Sequence, residues 1–301
     1  SKGSFVTINA SGLRRLTLLL TLSLACGLVR AAGEALPVLR FEGERASVVL
    51  LGSVHMAYPA LYPLREAIEQ AFAAADTVVV EVDIRDPNAQ RIQQLFLAAG
   101  TLPPGQRLQD QLSADTLSAL DSYLAVRGLP LAAFEQLQPG LVVVTLSTLR
   151  LVELGLDPQW GVEQHFLDRL GPGQTVVELE TAEQQVELLL DFPDADRLLA
   201  QGLQQLDQAE SLLDPLYRAW LAGDLDELDR LLLREERAAN PEFEAVYEKL
   251  YDQRNIAMSN RLLAMLRGQG NYFVIVGAGH LVGEKGIIRL LADAGFRPRP
   301  L

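Results

Sequence analysis

Two segments far apart in the chain share one pattern: an apolar run, a glycine, two small residues and a histidine. The first is Val48-Val49-Leu50-Leu51-Gly52-Ser53-Val54-His55, and the second is Phe273-Val274-Ile275-Val276-Gly277-Ala278-Gly279-His280. Short apolar runs rich in β-branched residues and closed by glycine predict strands buried on both faces. A helical pattern follows each of them. This repeated strand, glycine, histidine and helix order constrains the fold more than any other feature of the sequence.

The first copy extends into a longer unit. Ser47 to Leu51 reads as a strand broken by Gly52. Leu64, Ala67, Ile68, Ala71 and Phe72 then recur at helical spacing, and Thr77 to Val82 is a second β-branched strand. Strand, helix and strand joined by short links predict a βαβ unit with parallel strands. Asn88 to Leu170 reads as mostly helical, punctuated by Pro103-Pro104-Gly105, Gly128-Leu129-Pro130 and Pro139-Gly140. Gln174 to Glu180 reads as a short strand, and Asp194 to Gly268 as several helices whose charge runs are solvated faces. The expected fold class is α/β: a mixed, largely parallel sheet flanked by helices, with a long helical insertion between the first and last strands. No linker divides it, so residues 33–301 are expected to form a single domain.

The glycines around His280 invite comparison with a phosphate-binding loop. Such a loop opens a βαβ unit, with an acid at the end of the next strand about 20 residues on. Here only Phe296-Arg297-Pro298-Arg299-Pro300-Leu301 follows the helix. The histidines explain the pattern better. Ligands of open α/β sheets sit beyond the carboxyl ends of the strands, where His55 and His280 both fall. Glu81 ends a third such strand. If the three strands are neighbours, two imidazoles and a carboxylate converge. That donor set suits Zn, Mn, Co or Fe with positions left for water and substrate. A single histidine at a strand end is more often simply hydrogen-bonded in place. Here, two of the chain's three histidines sit in matching contexts. The third, His165, reads as structural on a helix, with a fourth-ligand role as the alternative. Asp83 shares a face with Glu81 if the strand continues. Glu180 either faces the same site or pairs with Arg254.

Arg14 and Arg15 precede an apolar run from Leu16 to Val29, with Ala31 and Ala32 after it. That is the order of a secretory signal, and the run is short for a membrane span. Residues 1–32 are expected to be this signal, which makes the protein exported, periplasmic or secreted, with no integral span in the mature chain. The only cysteine, Cys26, lies within the signal and offers a weak lipoprotein alternative. Removal of the signal leaves no thiol to bind metal or form a disulfide. It also takes away Lys2, Arg14, Arg15 and Arg30 and deepens a net charge of −13. Such acidity argues against nucleic acid and anionic lipid as partners.

Together the motifs resemble the TraB/PrgY/GumN family, whose animal relatives are the Tiki metalloproteases. The resemblance runs from about Leu39 to about Pro300. It rests on Gly52-Ser53-Val54-His55, Glu81-Val82-Asp83, Gly161-Val162-Glu163, Glu178-Leu179-Glu180-Thr181 with Gln185, Arg254-Asn255-Ile256-Ala257-Met258, and Gly277-Ala278-Gly279-His280-Leu281 with Gly283. It is nearest to the exported, GumN-like bacterial branch. The resemblance implies a metal-dependent peptidase with His55, His280 and Glu81 as signature residues and Arg254 as a polar neighbour able to stabilise an oxyanion. The implied cofactor is a divalent metal ion (Mn, Co or Zn) and the implied partner a polypeptide substrate. Glu81 is either a ligand or a general base. The sequence departs from the family at Pro139-Gly140, where many relatives have Pro-Trp, and at Gly161-Val162-Glu163, where many have Gly-Ile-Asp. The rival readings are a non-catalytic envelope protein that holds a metal, haem or peptide, and an accessory factor in polysaccharide export.

Overall fold

The computed structural model describes residues 35–192 and 194–301. The export signal read from residues 1–32, and Cys26 with it, lie outside the described residues. The centre of the fold is a six-stranded sheet of β1 (Val38–Glu42), β2 (Ala46–Ser53), β3 (Thr77–Val80), β4 (Thr175–Glu178), β5 (Gly270–Gly277) and β6 (Arg299–Pro300), in the spatial order β4-β3-β5-β2-β1-β6. The four strands from β4 to β2 are mutually parallel, and β1 runs antiparallel to both of its neighbours. The sheet is therefore mixed and largely parallel, as expected.

Helix α1 (Glu66–Ala73) connects β2 to β3. Helices α2 (Asn88–Gly100), α3 (Ala114–Val126), α4 (Pro139–Glu153) and α5 (Val162–Leu167) lie between β3 and β4. The second insertion, between β4 and β5, holds α6 (Ala182–Leu190), α7 (Ala195–Asp207), α8 (Ala209–Ala222), α9 (Leu225–Asp229), α10 (Glu235–Ala239), α11 (Glu244–Tyr247) and α12 (Gln253–Arg267). Helix α13 (Ile287–Asp293) follows β5. Two single π turns interrupt the second insertion, at Arg230–Arg234 and Glu248–Asp252. No described helix is long and apolar enough to cross a membrane.

The strands of the predicted βαβ unit are parallel but do not touch, because β5 pairs with both of them. The reason lies in its side chains. Phe273 to Val276 are fully buried, and a strand apolar on both faces belongs in the middle of a sheet with helices on either side. Three smaller readings need correction. Strand β2 does not stop at Gly52 but runs through it to Ser53, with Gly52 paired to Val276. A Cβ at Gly52 would come within 2.9 Å of Pro37 Cγ and 3.2 Å of Ala278 Cα, so the glycine admits close packing instead of breaking the strand. Strand β3 ends at Val80, two residues early. Strands β1 and β6, which no sequence pattern announced, complete the antiparallel edge.

One contact ties the helical insertion to the sheet. Trp220 of α8 is fully buried, and its indole Nε1–H donates to the Gly52 carbonyl at 2.8 Å. Trp220→Phe removes that donor while keeping most of the ring. The substitution is expected to lower stability by roughly 1–3 kcal/mol, the cost of a buried carbonyl left unpaired, measured by urea unfolding. A variant as stable as the wild type would show that this contact does not anchor the insertion.

Candidate functional site

Parallel strands end at one edge of a sheet, so equivalent positions in β2, β3 and β5 come together there. Ser53 pairs with Gly277, and Val80 with Ile275. The residues that follow these ends line one pocket of about 680 Å³, which includes His55, Glu81 and His280 with Arg254, Glu163 and Gln185. The convergence expected from the sequence is the geometry observed.

Glu81 sits at the centre of this constellation and is buried. Its Oε1 accepts the Gly277 N–H at 2.6 Å, and its Oε2 accepts from Arg254 Nη2 at 2.7 Å and Gln185 Nε2 at 3.2 Å. Pairing continues past the formal ends of β3 and β4, where the Glu180 N–H donates to the Glu81 carbonyl at 2.9 Å. Glu180 is thereby brought beside Glu81, and Arg254 binds both. Its Nε and Nη2 hold the two oxygens of Glu180 at 2.7 Å each. Of the two alternatives for Glu180, the ion pair with Arg254 is the one observed, and its side chain does not line the pocket. Gln185 reaches this position because a capping box of Thr181 and Gln184 starts α6 directly after Glu180. Burial alone would raise the Glu81 carboxyl. The neighbouring His280, Arg254 and His55, with the Gly277 amide, hold it down at about 2.

The two imidazoles are each oriented through Nδ1, by different partners. His280 is buried, and its Nδ1 lies 2.6 Å from Asn255 Oδ1. An amide oxygen only accepts, so the ring proton is on Nδ1 and Nε2 lies toward Glu81 Oε1, 3.7 Å away. Burial, reinforced by Arg254, pushes this imidazole down to about 3, and it is neutral at pH 7. His55 is exposed at the pocket wall, with Nδ1 3.1 Å from Glu163 Oε1. The Ser53 hydroxyl donates to the same Glu163 oxygen. The Glu163 charge raises His55 to about 9. Glu163 is itself held below the usual carboxylate range: burial works against its charge, and His55 and Ser53 outweigh it.

The glycine turn now has an explanation. A Cβ at Gly277 would lie 3.3 Å from Glu81 Oε1, and one at Gly279 would lie 2.8 Å from Tyr251 Cε1. The turn is bare so that Glu81 and Tyr251 can approach it. A carboxylate on the Gly277 N–H also occupies the place a phosphate would need, which removes the phosphate-loop reading.

Other sequence candidates fall outside. His165 stacks on Tyr62 with ring centroids 4.0 Å apart, and its Nε2 lies 3.1 Å from Glu69 Oε1. It is structural, as the sequence favoured. Asp83 pairs with Arg85 and does not line the pocket, because the strand ends before the alternation can carry it there. Sequence reasoning left the role of Glu163 open and did not single out Ser53 or Asn255. Asn255 directly follows Arg254, and that adjacency was the available clue. At the other departure from the family pattern, a Cβ on Gly140 would lie 3.0 Å from the Leu190 carbonyl oxygen. Helices α4 and α6 are too close there for tryptophan.

Two imidazole nitrogens and a carboxylate fit a first-row divalent ion in kind. An acceptor on each Nδ1 is the support that metal-binding histidines usually have. The three ligand atoms are not all within 4.8 Å of one another, so the set is open. Of the described carboxylates that do meet that distance, Glu244, Glu248 and Asp252, Arg237 bridges Glu244 to Asp252, and Lys285 also binds Asp252.

The TraB/PrgY/gumN family model matches residues 37–300. The uncharacterized protein YbaP of Escherichia coli (strain K12) is 28% identical over 244 residues, covering 80% of this chain and 86% of that protein. The protein of the same name in Shigella flexneri matches to the same extent. No solved structure matches.

The Glu163 contact predicts how His55 titrates. An unfolded histidine has a pKa of ~6.5, and the folded value is about 9. The pair's contribution to stability is therefore complete below ~6.5 and lost as pH rises through about 9. Followed by NMR of the ring protons, His55 should titrate near 9 in the wild type and fall back toward ~6.5 in Glu163→Gln. A wild-type midpoint below 7 would contradict the assigned pairing.

Proposed function

The chain belongs to the TraB/PrgY/gumN family, and from that premise we propose that its strand-end pocket is the centre of a metal-dependent hydrolase of exported location, acting on polypeptide. The observation that carries this reading is the pair of imidazoles, each tethered at Nδ1, that line one pocket together with the buried Glu81 carboxylate. Export is supported by the Arg14-Arg15 and Leu16–Val29 pattern.

His280, Glu81 and His55 would hold the ion, with Nε2 as the nitrogen each imidazole offers. A divalent ion, when bound, supplies Lewis-acid polarisation of a carbonyl and acidification of water. The chain's own groups set the rest. Glu81 is a weak base, with its carboxyl at about 2 and both oxygens already accepting hydrogen bonds. That supports a ligand role over a general-base role. His280 is neutral and ready to coordinate, whereas His55 gives up a proton to do so. In the reaction, the oxygen of water adds to the carbonyl carbon and the carbon–nitrogen bond breaks. One water proton goes to the departing amine, and the new acid ionises.

A mixed peptide library incubated with the full chain and Mn, Co or Zn should be cleaved, with chelator stopping cleavage and metal restoring it. His55→Ala and His280→Ala should each reduce kcat by at least ~10²-fold, and the double variant should lose little more, because the residues act as a unit. Cleavage that survives chelator and both substitutions would refute the reading. Metal binding without cleavage would favour a non-catalytic envelope protein.

A further inference from the structure

The family resemblance suggested Arg254 as the group that meets a developing oxyanion, but four of its five N–H donors are committed elsewhere. Nε and Nη2 hold Glu180, Nη2 also holds Glu81, and Nη1 donates to the Leu250 carbonyl at 3.1 Å. The Gly277 N–H is likewise taken by Glu81.

Tyr251 lines the same pocket and is 8% exposed. Its hydroxyl makes no hydrogen bond to any described residue. A buried phenol usually finds a partner, so a pocket-lining hydroxyl without one points to a ligand. Its placement is specific. The ring centroid lies 5.6 Å from that of His280. The ring also rests on the glycine turn, where a Cβ at Gly279 would be 3.6 Å from the hydroxyl oxygen. Tyr251 lies in the π turn Glu248–Asp252, directly before the helix that carries Arg254 and Asn255. Single π turns inside helices recur at functional sites. Burial lifts the phenol to about 12, so it keeps its proton at neutral pH. Leu188, Leu189, Leu232 and Leu250 line the pocket as well, which suits a ligand carrying an apolar group beside its carbonyl.

We infer that Tyr251 is a catalytic hydrogen-bond donor whose hydroxyl binds the carbonyl oxygen of the ligand and stabilises the negative charge that gathers there as water adds. The catalytic half of this inference rests on the hydrolytic reading; the binding contact does not. No proton is transferred, since the O–H only donates.

Tyr251→Phe keeps the ring on Gly279 and removes only the hydroxyl, so its thermal melt should match the wild type. Two measurements test the inference with manganese present. Calorimetric titration with L-leucine hydroxamate, a carbonyl-bearing probe with an apolar side chain, should show about tenfold weaker binding to the variant, a loss of ~1.4 kcal/mol. On peptides that the wild type cleaves, kcat should fall about 10²-fold, as for loss of one oxyanion donor, with KM changed less than about threefold. Equal hydroxamate affinity in the two proteins, no binding to the wild type, or an unchanged kcat would overturn the inference. Weaker probe binding by the variant, with no peptide cleaved by the wild type, would support the Tyr251 contact and refute the hydrolytic reading instead.

Discussion

One buried guanidinium holds this site together. Arg254 lies between Glu81 and Glu180, and all three side chains are less than a fifth exposed. Two carboxylates placed side by side out of water would repel each other and shed their charge. A single cation bound to both, with Gln185 bridging at 3.2 Å to each, offsets that repulsion. The same contacts lock α12 onto the ends of β3 and β4. Since Asn255 follows Arg254 in α12, the position of His280 depends on this lock as well. Breaking a buried pair by removing one partner typically costs about 3–5 kcal/mol, because the other charge is left stranded. Here two would be stranded at once, at the point where strands and helical insertion meet.

Around that lock the two histidines are unequal although their sequence contexts match. His280 is enclosed, tied to a neutral amide and itself neutral. His55 stands in the open, tied to a carboxylate and protonated. The difference comes from the elements that supply the partners. Asn255 projects from a long helix packed under the turn. Glu163 comes from the first turn of the short helix α5, whose Val162 N–H is held by the Val54 carbonyl at 3.0 Å. The glutamate at 163 reaches both His55 and Ser53. The site thus combines a fixed, buried half with a half at the solvent boundary, an arrangement suited to admitting a ligand from outside.

The sequence made the strand ends legible because hydrophobic runs and glycines are local signals, and because parallel strands turn equal sequence positions into equal heights on the sheet. It could not reveal that β5 would part β2 from β3, since strand order depends on which run is apolar on both faces and on how the whole helical insertion packs. Strand β1 escaped because Val38-Leu39-Arg40-Phe41-Glu42 lacks a clean two-residue alternation, and β6 because two residues carry no periodicity. The partners escaped for a different reason. Ser53, Glu163 and Asn255 lie inside the quoted motifs, but which groups they meet is set by tertiary contacts between elements far apart in sequence, and nothing in the local context of Tyr251 marks it. The Asp83 reading failed on a local detail, the early end of β3, which shows how completely a face assignment depends on where a strand stops.

The central claim is that the strand ends of β2, β3 and β5 form a metal site. Anomalous diffraction from crystals of the full chain grown with Mn²⁺ tests it most directly. The account predicts a single strong peak within coordination distance of His55 Nε2, His280 Nε2 and a Glu81 oxygen, lost in crystals of His280→Ala. A pocket without a peak, or a peak confined to the Glu244, Glu248 and Asp252 carboxylates, would contradict it.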